Sequence, residues 1–314
     1  MWMAGTELII LYGIGLIGFV AKRSGWLPQQ TEQVLALLIL NLTLPCLILT
    51  SMNLSVGLHI LLDFFVLFLL SGYALLTAYL LSLGIKKRTK LEESRGVVYQ
   101  SLMLFGNQGF IGYAVCYALF QEQGVMYAAI FNLLYLLLIW TYGIYLFAGV
   151  KHSFRLREVF FNPGILATMF GLLIMITPVQ LPEIVNGVLT YLGMPTIPLA
   201  MLMIGSILAD LKWQEFTQVC KNLHTWVVVV VRLLIIPLGL IPFTFLSIPS
   251  TLTAVALLIT AAPSAPTVFL YAQKYGGDVS FAAIGVTLTT IVSIVTIPLM
   301  YFLHQFVHQY FVTV

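Results

Sequence analysis

The stretch SLMLFGNQGFIGYAVC, residues 101–116, is an apolar run that stops and restarts. Gly106, Asn107, Gln108 and Gly109 sit in its middle, and none of them suits a helix buried in hydrocarbon. Each Gly costs about 1 kcal/mol against Ala in a helix interior. An amide left unpaired in an apolar medium costs roughly 2–7 kcal/mol more. A break of this kind is tolerable only where it faces protein or a water-filled cavity. The stretch therefore predicts a discontinuous helix whose freed backbone groups line something polar.

The rest of the chain sets the solvent around that break. Of 314 residues, 61% are hydrophobic and 8% charged, with a mean hydropathy of +1.03. Soluble domains are about a quarter charged, so the composition is that of an integral membrane protein. Ten apolar spans are predicted, near 6–22, 31–52, 58–83, 96–119, 124–149, 163–180, 186–208, 223–247, 251–273 and 279–306. Lys22 and Arg23 follow the first span and no basic residue precedes it, which inverts the charge order of a cleaved signal. Lys86, Lys87, Arg88, Lys90 and Arg95 fall between spans three and four. Lys151, Arg155 and Arg157 fall between five and six, Lys212 and Lys221 between seven and eight, and Lys274 after nine. All lie in alternate connections, so the expected topology has cytoplasmic basic loops and both termini outside, in the plasma or inner membrane. These charges read as topology signals, not as a nucleic-acid surface. Cys46, Cys116 and Cys220 have no metal-ligand spacing, and the two within spans, Cys46 and Cys116, read as small apolar residues.

The chain also resembles itself. VMYAAI at 125–130 recurs as VSFAAI at 279–284, an offset of 154. Pro45 and Pro198 are 153 apart, and Gly109 maps at 154 to Pro263 in AAPSAPTVF. Two homologous halves are expected, 1–160 and 161–314. Five spans in each half force opposite orientations, the inverted-repeat plan of secondary transporters, with spans four and nine interrupted at corresponding places. A half-helix that starts at such a break turns its amino end, and its partial positive charge, toward the midplane.

Several segments carry a family resemblance: NLTLPCLI in span two, GNQGFIG in span four, YAAIFNLLYLLLIWTYG in span five, VRLLIIPLG in span eight and AAPSAPTVFLYAQKYGGD in span nine. Together, in this order, they resemble the auxin efflux carrier family, which includes plant PIN proteins and bacterial permeases for malate and malonate. The resemblance implies an all-α membrane fold of ten helices in two inverted five-helix repeats, shared with bile-acid sodium symporters. It implies a dimerising scaffold of helices 1, 2, 6 and 7, and a moving transport domain of helices 3–5 and 8–10. Broken helices four and nine would cross at its centre, with Asn107 contacting a substrate carboxylate. One departure stands out: many members carry proline shortly after the span-four motif, where this chain has Tyr113.

Candidate substrate-binding residues follow from the two breaks. Asn107 and Gln108, between Gly106 and Gly109, either line the site or bridge helices as amides do in membranes. Pro263 and Pro266 interrupt span nine, and Ser264 and Thr267 offer hydroxyls there. Arg232 is a Lys/Arg buried inside a span, where a charge is expensive and functional by default. Asn41, with Thr43, precedes Pro45 and either lines a cavity or serves backbone groups that the proline frees. Asn132 and Thr141 in span five are similar. Asp63 lies a turn or two into span three, placed to reach the headgroups or to relay a proton. His304 and His308 share a helix face, as metal ligands do, but neither carboxylate nor Cys accompanies them.

No phosphate-binding loop is present, and no paired carboxylates or Ser/Lys and Ser/His pair lies at midplane depth. The expected function is a secondary carrier of a small organic anion, a mono- or dicarboxylate such as malate or malonate or an auxin-like weak acid, moved by alternating access. The alternatives are a sodium-coupled bile-acid-type symporter and a carrier-fold membrane receptor without transport. No catalytic residue, cofactor or metal is expected. The expected partners are the anion, the lipid bilayer and a second copy bound through the scaffold helices.

Overall fold

The computed structural model describes residues 2–53, 59–89, 91–148, 161–177, 180–209 and 223–311. Lys90, Lys151, Arg155, Arg157, Lys212, Lys221 and Cys220 lie outside them. The described residues form helices and no strand. Six helical stretches are long and apolar enough to cross a membrane: Thr31–Met52, Leu62–Arg88, Gln108–Phe147, Glu183–Ala209, Leu223–Phe245 and Val279–Phe311. Pro163–Met175 and Ser250–Thr260 are shorter apolar helices. The chain is a multi-pass membrane protein.

The backbone divides into two compact units, each drawn from three segments. The first takes residues 1–68, 109–133 and 157–210. In it the helix Trp2–Arg23 packs along Thr196–Ala209. Glycines permit the approach: a methyl group on Gly18 would overlap the Leu202 backbone, and one on Gly205 the Gly15 carbonyl. At the end of this pair Lys22 Nζ lies 2.8 Å from the Glu32 carboxylate, which also accepts from the Ser206 hydroxyl. The helix Leu44–Met52 packs on Pro163–Ile176 and Glu183–Gly193. Asn53 clips this group, its Nδ2 donating to Asn186 Oδ1 at 3.2 Å and its Oδ1 accepting from the Leu181 N–H at 3.3 Å. A π-helical turn, Ile39–Thr43, precedes Pro45. Proline lacks an N–H and crowds the carbonyl four residues back, here that of Asn41, so the helix widens by one residue per turn.

Two features of this unit bear on the sequence reading. Asp63 is half-buried, and its Oδ2 accepts the Tyr127 hydroxyl at 2.9 Å, which in turn accepts from Gln123 Nε2 at 3.2 Å. Its carboxylate is thus held by protein groups. The helix Tyr113–Leu138 is kinked at Gln121, at φ 53° and ψ −140°. That conformation favours glycine, and a side chain there stores about 1–3 kcal/mol of strain. Gln121→Gly is expected to relieve more than glycine's entropic cost of about 0.5–1 kcal/mol. A thermal melt in detergent should show an unchanged or raised Tm, whereas Gln123→Gly, inside the regular helix, should lower it.

The second unit takes residues 69–108, 134–156 and 211–314. The helix Glu93–Leu104 is its centre, packed by Leu223–Val230, Pro266–Tyr275 and Val279–Phe311. Its buried core includes Tyr99, Leu102, Met103, Phe105, Val228 and Phe281. A second proline-linked π turn, Val231–Ile235, precedes Pro237 and carries Arg232. Helix Pro266–Tyr275 ends on Gly276 at φ 88°, the left-handed cap that glycine adopts without strain. Asp278 then caps the last helix, accepting the Phe281 N–H at 2.9 Å while Arg95 Nε lies 2.9 Å from its other oxygen.

Candidate functional site

Two helices of the second unit stop within it. Glu93–Leu104 gives way to an extended Phe105 at φ −99° and ψ 116°. Ser250–Thr260 is followed by residues 261–265, and a new helix starts at Pro266 after an extended Ala265. The sequence dictates the second stop. A residue before proline is pushed out of the helical region, which applies to Ala262 and Ala265, while proline at the first position suits a helix start.

The freed backbone groups satisfy one another. Gly106 and Ser264 form an isolated antiparallel bridge. The Ala265 N–H donates to the Phe105 carbonyl at 2.9 Å, and the Asn107 N–H to the Pro263 carbonyl at 2.6 Å. Side chains complete the crossing. The Ser264 hydroxyl donates to the Leu102 carbonyl at 2.8 Å, serving an orphan acceptor in the last turn of its helix. The Ser264 N–H is taken by Thr289 Oγ1 at 3.1 Å, and the Tyr135 hydroxyl donates to the Gly106 carbonyl at 2.6 Å.

Arg232 lies against this crossing with 1% of its surface exposed. Its Nε donates to the Ala262 carbonyl at 2.9 Å. Its guanidinium occupies the space where a side chain on Gly106 would begin, so Gly106 is glycine because the cation is there. The Nη2 atom is buried and has no hydrogen-bond partner among the described residues. The charge sits well beside the carbonyl end of Ser250–Thr260. No carboxylate of the described residues pairs with it. Asn107 and Gln108 are buried, 4% and 3% exposed, and Gln108 Oε1 has no hydrogen-bond partner among the described residues.

Of the residues predicted from sequence, the structure gathers Gly106, Asn107, Pro263, Ser264 and Arg232 into one crossing, with Gln108 next along the chain and Pro266 and Thr267 opening the helix that leaves it. Gly109 and Asn41 belong to the first unit. Asn41 is exposed, and its Nδ2 donates to the Leu37 carbonyl at 2.9 Å within its own helix. Tyr135, Thr289 and the Ala262 carbonyl are participants that the sequence does not single out. Tyr135 lies in the quoted span-five segment as one aromatic among several, and a backbone carbonyl has no sequence signal at all.

Interrupted apolar helices that meet inside a helical unit, with a buried cation against the junction, define a membrane transporter. The comparisons with known proteins agree. The chain matches the membrane transport protein family over residues 3–158 and 152–301 and belongs to that family, the auxin efflux carriers. An uncharacterized transporter of Methanocaldococcus jannaschii is 24% identical over 305 residues, 93% of this chain and 96% of that protein. An uncharacterized transporter of Methanothermobacter thermautotrophicus is 26% identical over 310 residues, 95% of this chain and 98% of that protein.

Proposed function

We propose that the chain is a secondary carrier for a small organic anion, which binds at the crossing of the two helix breaks. One observation carries this reading: Arg232 is buried at the crossing, and among the described residues its Nη2 has no partner and no carboxylate pairs with it. An uncompensated charge in a membrane domain is costly, and an anionic ligand relieves that cost. Asn107 supplies a carboxamide for the carboxylate, beside Gln108, Ser264 and Thr267. The half-helix opening at Pro266 adds a positive dipole end.

In this reading ten helices form two inverted repeats, 1–160 and 161–314. The repeat offset supports it, as do the positive-φ residues Gln121 and Gly276, which follow the two breaks at an offset of 155. Scaffold helices 1, 2, 6 and 7 hold a second copy, and helices 3–5 and 8–10 carry the substrate by alternating access. Of the two compact units, the first holds helices 1, 2, 6 and 7 and the second helices 8–10, while the start of helix 3 and residues 109–133 of helices 4 and 5 fall in the first. The termini face outward and the basic loops face the cytoplasm.

The test is a thermal-shift screen of the purified protein with malate, malonate, succinate, citrate and indole-3-acetate, followed by proteoliposome uptake of each hit. Asn107→Ala is expected to weaken the hit's affinity by roughly tenfold, the worth of about 1.5 kcal/mol for a hydrogen bond to a charged group, with little change in apo Tm. Unchanged affinity and uptake in that variant would remove Asn107 from the site. Binding without uptake would favour a receptor, and sodium-dependent uptake a bile-acid-type symporter.

A further inference from the structure

The last helix, Val279–Phe311, carries a buried titratable group that the crossing does not use. His304 is fully buried, and its Nε2 lies 2.8 Å from the Thr253 hydroxyl. That hydroxyl has a single proton, which it donates to the Ser250 carbonyl at 3.1 Å. Thr253 must therefore accept from His304, which places the ring proton on Nε2 and leaves Nδ1 a bare lone pair. Nδ1 is buried and has no hydrogen-bond partner among the described residues.

The surroundings decide what this nitrogen can take. His308, one turn on, stacks its ring on that of His304 at 6.3 Å between centroids. Tyr301 and Tyr310 are the other titratable residues on this end of the helix. The neighbouring segments Ser250–Thr260 and Ile241–Phe245 contain no ionisable side chain. Arg95, Asp278, His224 and Tyr99 gather at the opposite end: Arg95 reaches Asp278 and Phe281, and His224 meets Tyr99, which meets Phe281. Glu93, Tyr271, Lys274 and Tyr275 belong to segments that pack toward that end. Arg232 lies at the crossing near Thr289, roughly 20 Å along the helix from His304 at 1.5 Å per residue. Among the described residues no carboxylate stands ready to hold an imidazolium, so a protonated His304 is accommodated only when water reaches it.

We propose that His304 Nδ1 is a proton-binding site, and that its occupancy controls the seating of helix Ser250–Thr260. When water reaches the ring, a proton from it adds to the Nδ1 lone pair, and the ring becomes an imidazolium with both nitrogens as donors. The new charge draws the ring toward water and away from Thr253. The same helix runs from Thr253 to the turn at Ala262, whose carbonyl holds Arg232. A shift at one end thus reaches the crossing through one rigid element. As regulation of a carrier this rests on the reading above, but the proton site itself does not.

The test follows the proton and needs no substrate. Thermal melts of the full chain are recorded from about pH 7.5 to pH 5, the range in which histidine changes charge. Protonation costs His304 its place beside Thr253 and loosens the helix Ser250–Thr260, so stability falls as the pH falls. Wild-type Tm is expected to fall across this range. His304→Gln keeps a donor for Thr253 but cannot titrate, and should lose most of the fall. His308→Gln should keep it. Parallel profiles for wild type and His304→Gln overturn the proposal.

A second measurement decides the matter if the variant does not fold. The chain has five histidines, few enough to resolve by nitrogen NMR of imidazole-labelled wild type. The ring whose signal moves in Thr253→Val is expected as the neutral Nε2–H tautomer near neutral pH, converting to imidazolium on acidification. An Nδ1–H tautomer, or a signal unchanged across the range, overturns the proposal.

Discussion

Arg232→Met is expected to lower organic-anion uptake at least tenfold and up to about a hundredfold, while the protein still inserts and folds. The range follows from losing one hydrogen bond to a charged group, worth about 1.5–3 kcal/mol. Stability should respond differently. Methionine fills much of the same volume without a charge, and replacing a buried, incompletely paired ion by an apolar side chain is often neutral or stabilising. The Ala262 carbonyl then loses its donor, which costs about 1–3 kcal/mol, so the two effects on Tm largely oppose each other. Arg232→Lys separates charge from geometry. An ammonium keeps the positive charge but not the planar fork that lets Nε hold Ala262 while Nη2 stays free. Lysine is therefore expected to restore less than a tenth of the lost uptake. Full activity in the lysine variant would mean that only net charge matters at the crossing. Full activity in the methionine variant would remove Arg232 from the anion site altogether.

The asymmetry between these two substitutions reflects what could be read from the chain. GNQG and PSAP are legible because glycine and proline act on their own backbone: each disrupts a helix wherever it falls, so the break needs no knowledge of neighbours. Arg232 is legible for a similar reason, since a charge within VRLLIIPLG is anomalous in any apolar span. The pairing of Gly106 with Ser264 is not legible. It depends on two segments more than 150 residues apart meeting antiparallel, and the bonds run between backbone groups that every residue owns. The departure at Tyr113 is resolved by the same bonds. With Phe105 extended and its carbonyl taken by Ala265, the span-four break needs no proline to hold it open.

Asn41 marks the opposite limit. Its place before Pro45 fits either a cavity lining or service to backbone groups, and its amide turns back to the Leu37 carbonyl in the helix that carries it. A carboxamide can serve a cavity or its own helix, and the choice is made by packing that composition does not encode. Tyr135 and Thr289 illustrate the converse. Their hydroxyls hold the crossing, but as residue types they are commonplace in membrane helices, so only coordinates distinguish them.

Gly106→Ala is expected to be the most disruptive single methyl group in the second unit. An added Cβ would overlap the Arg232 guanidinium, so either the cation or the extended segment must move. Inserting a methyl into a packed site costs about 1–3 kcal/mol, and here the displaced group is also the proposed anion ligand. The variant should therefore lose several degrees of Tm and at least tenfold in anion affinity together. Gly84→Ala, where a Cβ meets nothing within 4 Å, is the matched control and should change neither. The clash itself is tested by a double-mutant cycle. In an Arg232→Ala background the space beside Gly106 is vacated, so Gly106→Ala should then cost less than about 1 kcal/mol, giving a coupling well above the few tenths seen for independent sites. Additive losses in the double variant would mean that Gly106 is required for its backbone conformation alone. The extended Phe105 and the bridge to Ser264 would then define the crossing, with Arg232 an independent neighbour.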